Sequence, residues 1–272
     1  MPAALRLRRV PFDFSPYDAV LLDLDGTLYH EEHVLPGAVE LVRRIQAEGR
    51  PYACLTNSTS NANRLRARLV RMGIDMPAAN IYTAAQAAAD YVLASFPGEL
   101  PRVFNLATEG LHEILDGRVR WVDDARQPCD VVISGAPANV FATNDRQGIA
   151  LYLLRAGARL VGICADRIYP SPRGIEFGAG PLTEMLAYAA NVKPTYAGKP
   201  EAIFFQELCG KLGVRPERCV LVGDNLESDI AGAKRMGMAS VLALSGVTRA
   251  KDVPGIPERL RPDFVIRGVD AL

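Results

Sequence analysis

Two aspartates stand close together at the end of an apolar run near the start of the chain. The stretch VLLDLDGTLY at 20–29 places Asp23 and Asp25 one residue apart, directly before Gly26. Residues i and i+2 of a strand share a face, so the two carboxylates would lie close to each other. At about 4 Å and an effective dielectric constant near 20, two like charges repel by about 4 kcal/mol. A bound cation, a proton on one carboxylate or a bend at the glycine would relieve this repulsion.

Two further aspartates follow another apolar run in the C-terminal part. In VLVGDNLESDIAGAKRMG at 220–237, Asp224 ends the run and Asp229 opens a segment with a helical pattern. Asp229 could have only a structural role, because an acidic side chain at a helix N-terminus interacts favourably with the helix dipole. Asp224 is harder to explain by structure alone, because charged side chains are seldom buried without a partner. The pattern therefore predicts that Asp224 belongs to a cation site.

A short polar stretch after a third apolar run could hold an anion. In LTNSTSN at 55–61, Thr56, Asn57 and Ser58 precede a helical pattern. Hydroxyl groups and backbone N–H groups at a helix start form a site for an anion such as phosphate. Plain N-capping by Ser58 or Ser60 is the alternative interpretation.

A lysine precedes another predicted helix start. In YAGKPEAIFF at 196–205, Lys199 stands before Pro200, and proline can occupy the first position of a helix. By itself the lysine could simply be solvated. The whole set, however, combines several carboxylates, an ammonium group and an anion cradle. Oxygen ligands without histidine or cysteine favour Mg²⁺ over zinc, and such a set is typical of phosphoryl chemistry on an anionic ester.

The elements that position these residues alternate between short apolar runs and helical patterns. Strands are predicted at 18–23, 51–55, 102–106, 130–134, 158–163, 219–223, 240–244 and 263–266. Helices are predicted at 37–48, 61–72, 84–95, 143–156, 181–190, 201–212 and 228–236. This alternation predicts an α/β fold with one or two parallel sheets, and ligands of such sheets bind beyond the carboxyl ends of the strands.

The strands with polar ends fall into two groups, one on each side of the segment 81–190. That segment has strands and helices of its own but no charged strand ends. We therefore expect an outer domain formed by 1–80 and 191–272, which carries the site, and a second domain inserted at 81–190.

The composition is that of a soluble protein. The 272 residues include 31 basic and 31 acidic ones, so the usual electrostatic reason for a nucleic acid or membrane partner is absent. Five cysteines without a CxxC pair indicate neither a zinc site nor a disulfide framework. No apolar run approaches the roughly 20 residues that span a bilayer, and no run of signal-peptide length precedes Pro11. We expect a cytoplasmic protein.

DLDGTL, LTNST, GKP and GDNLESDI occur in that order, and together they resemble the four motifs of the haloacid dehalogenase (HAD) superfamily. The chain is most similar to the NagD-type and nitrophenylphosphatase-like branch of class II. CADRIYPSPRGIEFGAG at 164–180 is similar to that branch's return from cap to core, although Cys164 and Ala165 stand where relatives have Asn and Pro. The resemblance implies a Rossmann-like parallel-sheet HAD core with an inserted α/β cap.

The resemblance also implies catalytic roles for the matching residues. Asp23 would be the nucleophile that takes the phosphoryl group, and Asp25 would protonate the leaving oxygen and later activate water. Lys199 would offset negative charge on the nucleophile and the phosphate.

The remaining motif residues would bind metal and phosphate. Asp23, Asp224 and the backbone carbonyl of Asp25 would hold Mg²⁺, and Asp229 would support it directly or through water. The residues predicted to hold the phosphoryl oxygens are Thr56, Asn57 and Ser58, the last of which replaces a second asparagine of many relatives.

The return segment contains candidate residues for substrate specificity. Asp166, Arg167, Tyr169 and Arg173 lie on a predicted loop rich in proline and glycine, which could bind substrate or simply connect two elements. The two histidines after the first motif are expected to be exposed loop residues.

The function expected from these features is a Mg²⁺-dependent phosphomonoesterase acting on a small phosphorylated metabolite. A dehalogenase is disfavoured because such relatives lack the second aspartate, and a phosphonatase because no lysine is evident at a cap position near Asp23. A phosphosugar mutase and a non-hydrolytic phosphate-binding module stay open. The oligomeric state is also open. A homodimer is one expectation, because the cap of relatives often forms dimer contacts.

Overall fold

The computed structural model describes residues 12–136, 141–171 and 174–272. Contacts within the chain divide it into two compact units. The first contains the residues up to Thr56, Ala62–Tyr82 and Phe205–Leu272, and the second contains Asn57–Asn61 and Thr83–Phe204. Two predictions concern residues outside the described ones. They are the role of Arg173 and the lack of a signal peptide before Pro11. The domain limits expected from sequence, 80 and 190, stay predictions.

The elements of the described residues are bounded as follows. The strands are β1 Ala19–Asp23, β2 Tyr29–His30, β3 His33–Val34, β4 Tyr52–Thr56, β5 Ile81–Thr83, β6 Arg102–Leu106, β7 Arg120–Trp121, β8 Val131–Ser134, β9 Arg159–Gly162, β10 Ile168–Ser171, β11 Gly174–Phe177, β12 Thr195–Tyr196, β13 Cys219–Gly223, β14 Ala239–Ala243 and β15 Phe264–Ile266. The α-helices are α1 Ala38–Ala47, α2 Ala62–Arg71, α3 Ala84–Ala94, α4 Glu109–Leu115, α5 Asn144–Arg155, α6 Ala179–Ala190, α7 Ala202–Leu212 and α8 Ala231–Arg235.

The first unit is built on a six-stranded sheet with the order β15-β14-β13-β1-β4-β5. β1 runs parallel to both β13 and β4, and every residue of these three strands is buried. Central parallel strands are covered on both faces, which is why they read as continuous apolar runs. Asp23 pairs with Leu55, and Leu22 pairs with Val222. The polar residues that follow these strands therefore reach the same edge of the sheet.

Helices cover this sheet through apolar stripes. On α1 the buried residues are Ala38, Leu41, Val42 and Ile45, which recur at the three- and four-residue spacing of one helix face. They join the core of the unit together with buried side chains of β1, β4 and β13. The packed core holds the strand ends in a fixed register.

The second unit has a sheet of its own. Its five strands follow the order β12-β9-β8-β6-β7, and all four pairings are parallel. Its core joins side chains of β6, β8 and β9 to those of α5 and α6, with Phe104, Leu160 and Leu186 among them. The predicted α/β class with parallel sheets is confirmed.

Each predicted strand and helix is found, with ends shifted by three residues or fewer, but some local expectations were wrong and some short elements were not predicted. The return segment contains a hairpin of β10 and β11 where a loop was predicted, because its backbone groups pair in register from Ile168–Phe177 inward. The helix α4 was missed, since its seven residues are too few to show a clear period. Pro200 does not open α7, because the helix begins at Ala202. The peptide bond between Lys199 and Pro200 is cis.

No helix of the described residues combines the length and the apolar character needed to cross a membrane. The expected cytoplasmic location stays a prediction.

The packing of α8 on α7 generates a test of the core. A Cβ on Gly232 would overlap the ring of Phe205, whereas a Cβ on Gly210 of α7 would meet open space. Gly232→Ala should lower the free energy of unfolding by about 1–3 kcal/mol through overpacking. Gly210→Ala, the matched control, should raise it by up to about 1 kcal/mol through helix propensity. Urea titrations of both variants measure this, and a stabilised Gly232→Ala protein would contradict the packing.

Candidate active site

The chain turns sharply at Gly26, directly after the second aspartate. Gly26 has φ +82°, and its N–H donates to the carbonyl of Tyr29 over 2.7 Å. The two aspartates have different surroundings, since Asp23 is 6% exposed and the side chain of Asp25 is 56% exposed. Of the three ways to relieve the repulsion between them, the bend at the glycine is present in the fold.

Three buried aspartates converge at the carboxyl edge of the first unit's sheet. One carboxylate oxygen each of Asp23, Asp224 and Asp229 lies within 4.8 Å of the other two. Their exposed fractions are 6%, 3% and 0%. At 4.8 Å and an effective dielectric constant near 20, each ionised pair repels by roughly 3.5 kcal/mol. This donor set fits a hard divalent cation, since it offers buried carboxylate oxygens and no sulfur or imidazole.

The aspartate that follows β13 is held by backbone contacts. The N–H of Val247 donates to Asp224 Oδ2, and the N–H of Thr248 donates to the Asp224 carbonyl over 3.1 Å. Gly246 and Gly26 pack directly on this carboxylate. A Cβ on Gly246 would overlap Oδ2, and one on Gly26 would lie 2.7 Å from Cγ. Only residues without a side chain leave Asp224 its present rotamer.

The last aspartate of the cluster lies in a π-helical turn, Leu226–Ile230, that precedes α8. Asp229 Oδ2 accepts from the backbone N–H of Asn225 over 3.1 Å. A Cβ on Gly223 would lie 2.5 Å from the Cβ of Asp229, so the glycine that ends β13 admits this side chain. Single π-helical turns are frequent at functional sites because they re-aim side chains.

Thr27 is a site residue that the sequence interpretation did not single out. Its hydroxyl donates to Asp23 Oδ2 over 3.2 Å, and its side chain is fully buried. Because the threonine holds one oxygen of the carboxylate, it fixes the orientation of the predicted nucleophile. The signal was present in the sequence, as the threonine of DLDGTL.

The second aspartate contacts a histidine of the β2–β3 hairpin. His30 Nδ1 lies 3.7 Å from Asp25 Oδ1. Although its side chain is half exposed, partial desolvation by the surrounding protein raises the pKa of Asp25 above its ordinary value, and Coulombic interactions with His30 and Arg68 oppose this shift. His30 and His33 are exposed as predicted, but they are paired strand residues and not loop residues. The contact between His30 and Asp25 was not foreseen, because it depends on the hairpin.

The anion loop is divided between the two units. Thr56 ends β4 in the first unit and is 9% exposed. Asn57 and Ser58 belong to the second unit. Ser58 Oγ accepts from the N–H of Ser60 over 3.2 Å, a local turn in the segment before α2.

Asn57 and the predicted catalytic lysine are joined in the second unit. Asn57 Oδ1 accepts from the backbone N–H of Lys199 over 2.8 Å. Its Nδ2 donates to the Lys199 carbonyl over 3.1 Å and to Asp166 Oδ1 over 3.0 Å. Lys199 is 3% exposed, so the solvated lysine offered as an alternative is excluded.

The candidate specificity residues of the return segment differ in their surroundings. Arg167 is exposed. The hydroxyl of Tyr169 donates to Glu176 Oε2 across the β10–β11 hairpin over 2.8 Å. Their contacts with a substrate stay predictions.

Comparisons with known proteins place this arrangement in a family. A sequence profile described as haloacid dehalogenase-like hydrolase matches residues 20–118, and one described as HAD-hydrolase-like matches 196–272. Haloacid dehalogenase-like hydrolase domain-containing protein 2 of Bos taurus is 34% identical over 235 residues, which cover 86% of each chain. The chain belongs to the haloacid dehalogenase-like hydrolase family. The first profile contains Asp23 and Asp25, and the second contains Lys199, Asp224 and Asp229.

Solved structures of this hydrolase family have the same fold. The 4-nitrophenylphosphatase of Thermotoga maritima superposes with a TM-score of 0.85 at 29% identity, covering 95% of this chain and 97% of the other. A glycerol phosphate phosphatase of Mycobacterium tuberculosis, in complex with magnesium, gives a TM-score of 0.85 at 28% identity, covering 95% and 77%. The resemblance to nitrophenylphosphatases seen in the sequence motifs is confirmed.

The close packing on Asp224 gives a test of the metal site. Gly246→Ala must push this carboxylate out of the cluster and should lower the affinity for Mg²⁺. At a Mg²⁺ concentration of about one hundred times Kd, the wild type should gain about 2.7 kcal/mol of stability. The variant should gain clearly less at the same concentration in urea titrations. Gly255→Ala, where a Cβ meets open space, is the control, and an undiminished gain for Gly246→Ala would contradict the site.

Proposed function

We propose that this hydrolase is a Mg²⁺-dependent phosphomonoesterase that acts on a small phosphorylated metabolite through an aspartyl phosphate. The observation that carries the proposal is the convergence of three buried carboxylates within 4.8 Å of one another. One of them, Asp23, ends a central strand and is oriented by Thr27. A site of this kind suits the hydrolysis of an anionic ester, because it offers both a nucleophile and the ligands of a cation.

The metal ligands would be Asp23, Asp224 and Asp229, with the backbone carbonyl of Asp25. Bound Mg²⁺ supplies positive charge that lets a carboxylate approach a dianionic phosphate. The name of the Mycobacterium tuberculosis relative, a magnesium complex of a phosphatase, supports this choice of ion.

The reaction would proceed in two displacements at phosphorus. A carboxylate oxygen of Asp23 forms a bond to phosphorus while the ester oxygen leaves, and Asp25 gives that oxygen a proton. Asp25 then takes a proton from water, whose oxygen attacks phosphorus and releases inorganic phosphate and the Asp23 carboxylate. The raised pKa of Asp25 suits the acid role, since a fraction of the carboxyl stays protonated at higher pH than usual.

The other motif residues are proposed to hold the phosphate. Thr56, Ser58 and the backbone amide of Asn57 would bind its oxygens, and Lys199 would offset its charge, as the family motifs imply. Burial strengthens the electrostatic effect of Lys199, because fewer water molecules screen its charge.

The substrate is proposed to be a small organic phosphate. The names of two structural relatives, a 4-nitrophenylphosphatase and a glycerol phosphate phosphatase, support this class. Arg167 and Tyr169 are proposed substrate contacts. A homodimer and the lack of nucleic acid and membrane partners stay predictions.

The nucleophile is tested by removing its charge. Asp23→Asn should lower phosphatase activity by roughly four to six orders of magnitude, as loss of a nucleophile does in other enzymes. A panel of phosphomonoesters, with and without Mg²⁺, measures released inorganic phosphate. Asp18→Asn is the control, because Asp18 lies just before the same strand and pairs with Arg218 outside the site. Wild-type activity in Asp23→Asn, or full activity in the presence of a chelator, would contradict the proposal.

The acid–base residue is tested with a leaving group that needs no proton. With 4-nitrophenyl phosphate, Asp25→Asn should still form the aspartyl phosphate but hydrolyse it slowly, because no base activates the water. Rapid mixing should show a burst of nitrophenolate close to one equivalent per enzyme, and acid quenching should trap phosphoprotein sensitive to hydroxylamine. Steady release without a burst, in a variant that is slower than the wild type, would argue against the assigned role.

A further inference from the structure

One hydrogen-bonded chain in the second unit joins Asn57 and Lys199, which have proposed roles in the chemistry, to Asp166, which has none. Asp166 accepts from Asn57 Nδ2 over 3.0 Å, and Asn57 in turn contacts both the N–H and the carbonyl of Lys199. In the sequence, Asp166 lies 109 positions after Asn57, and Lys199 lies 142 positions after it. The sequence offered Asp166 as a candidate substrate contact or as part of a connecting loop, and in the structure its carboxylate accepts from another protein side chain.

We propose that Asp166 is a positioning residue that acts through Asn57 to fix the backbone of Lys199. The inference rests on the proposed function for the role of Lys199. The steps that support it are the saturation of the Asn57 amide, the rigid mounting of Asp166 and the close packing at Gly198.

The amide of Asn57 has its hydrogen-bonding groups committed. A side-chain amide offers two N–H groups and one carbonyl oxygen. Both Nδ2 donations go to the second unit, one to the Lys199 carbonyl and one to Asp166, while Oδ1 accepts from the Lys199 N–H. A hydrogen bond to a carboxylate is stronger than one between neutral groups. Asp166 therefore makes the strongest of the contacts that hold this amide in place.

Asp166 is itself rigidly mounted. Its carbonyl accepts from the N–H of Gly180 over 3.0 Å, and the carbonyl of Arg167 accepts from the N–H of Gly178 over 2.9 Å. A Cβ on Gly178 would lie 2.6 Å from the Asp166 carbonyl carbon, and one on Gly180 would lie 2.7 Å from the Ala165 oxygen. The two glycines of the GAG sequence thus allow the start of α6 to pack against, and hydrogen-bond to, the backbone around Asp166.

The second carboxylate oxygen of Asp166 is contacted by a cysteine thiol. Cys164 Sγ donates to Asp166 Oδ2 over 3.4 Å. Burial raises the pKa of the Cys164 thiol well above its ordinary value, so it remains a donor. The cysteine stands where relatives have asparagine, and it still supplies a donor to this carboxylate.

The lysine end of the chain is closely packed as well. A Cβ on Gly198 would lie 2.8 Å from Asn57 Oδ1 and 2.7 Å from the Cβ of Cys164. The glycine of the GKP motif therefore lets the Asn57 amide reach the Lys199 backbone. Since the backbone of Lys199 is clamped on both its N–H and its carbonyl, the direction in which its side chain leaves is fixed.

Kinetics separate positioning from substrate contact. Asp166→Ala should lower kcat by about 10²-fold, the cost of a small misplacement in an active site, and should leave KM within about threefold because only the transition state loses stabilisation. Asp166→Asn keeps an oxygen acceptor and should retain kcat within about fivefold. In an Asn57→Ala background, Asp166→Ala should cost nothing further, since the path through Asn57 is already gone. Asp124→Ala, which removes a hydrogen-bonded carboxylate elsewhere in the second unit, is the control.

A second measurement does not depend on activity. Hydrogen exchange of the Lys199 amide, followed by NMR, should be faster by about tenfold or more in Asp166→Ala and nearly unchanged in Asp166→Asn. If the wild type hydrolyses no phosphomonoester, the proposed function fails, and the exchange of this amide still decides whether Asp166 positions Lys199. The inference is overturned by unchanged exchange, by a raised KM at constant kcat, by losses that add in the double variant, or by an Asp166→Asn protein as slow as Asp166→Ala.

Discussion

The mutual repulsion of three buried carboxylates is the constraint on which the first unit depends. Asp23, Asp224 and Asp229 lie within 4.8 Å of one another, and each is at most 6% exposed. Such an arrangement costs free energy in the folded protein unless positive charge is bound there. Folding energy from the packed sheet and its helices has to offset that cost. A site that is unfavourable for stability is what an enzyme needs if it is to attract a cation and then an anionic ester.

Glycines at a few positions make this concentration of charge sterically possible. Gly246 and Gly26 leave room for the carboxylate of Asp224, and Gly223 leaves room for Asp229. In the second unit Gly198 does the same for the Asn57 amide. Each of these glycines lies beside a polar side chain of the predicted chemistry, so close approach and not turn formation explains most of them. Gly26 serves both purposes, because it also has a positive φ at the bend after β1.

The two units carry different parts of the predicted chemistry. The carboxylate cluster, Asp25 and the end of β4 belong to the first unit, whereas Asn57, Lys199 and Asp166 form a hydrogen-bonded network within the second. Each unit is defined by contacts within the chain and combines segments that are separate in the sequence. The anion loop after β4 therefore passes from one unit to the other between Thr56 and Asn57.

The amino-acid sequence by itself determined the α/β class, the strands that end at the site and the four motifs. Short apolar runs that alternate with helical patterns are typical of central parallel strands, and a carboxylate at the end of such a run can be recognised without coordinates. Thr27 was within reach of the same reasoning, since it lies in the first motif. Tertiary structure decided the rest. Short sequence patterns do not show which residues the fold will bring into contact. Three features therefore became visible only in the structure: the contact of His30 with Asp25, the hairpin of β10 and β11, and the link from Asp166 through Asn57 to Lys199. Strand register placed the ends of β1 and β13 side by side, and it is this juxtaposition, rather than the presence of aspartates, that creates the carboxylate cluster.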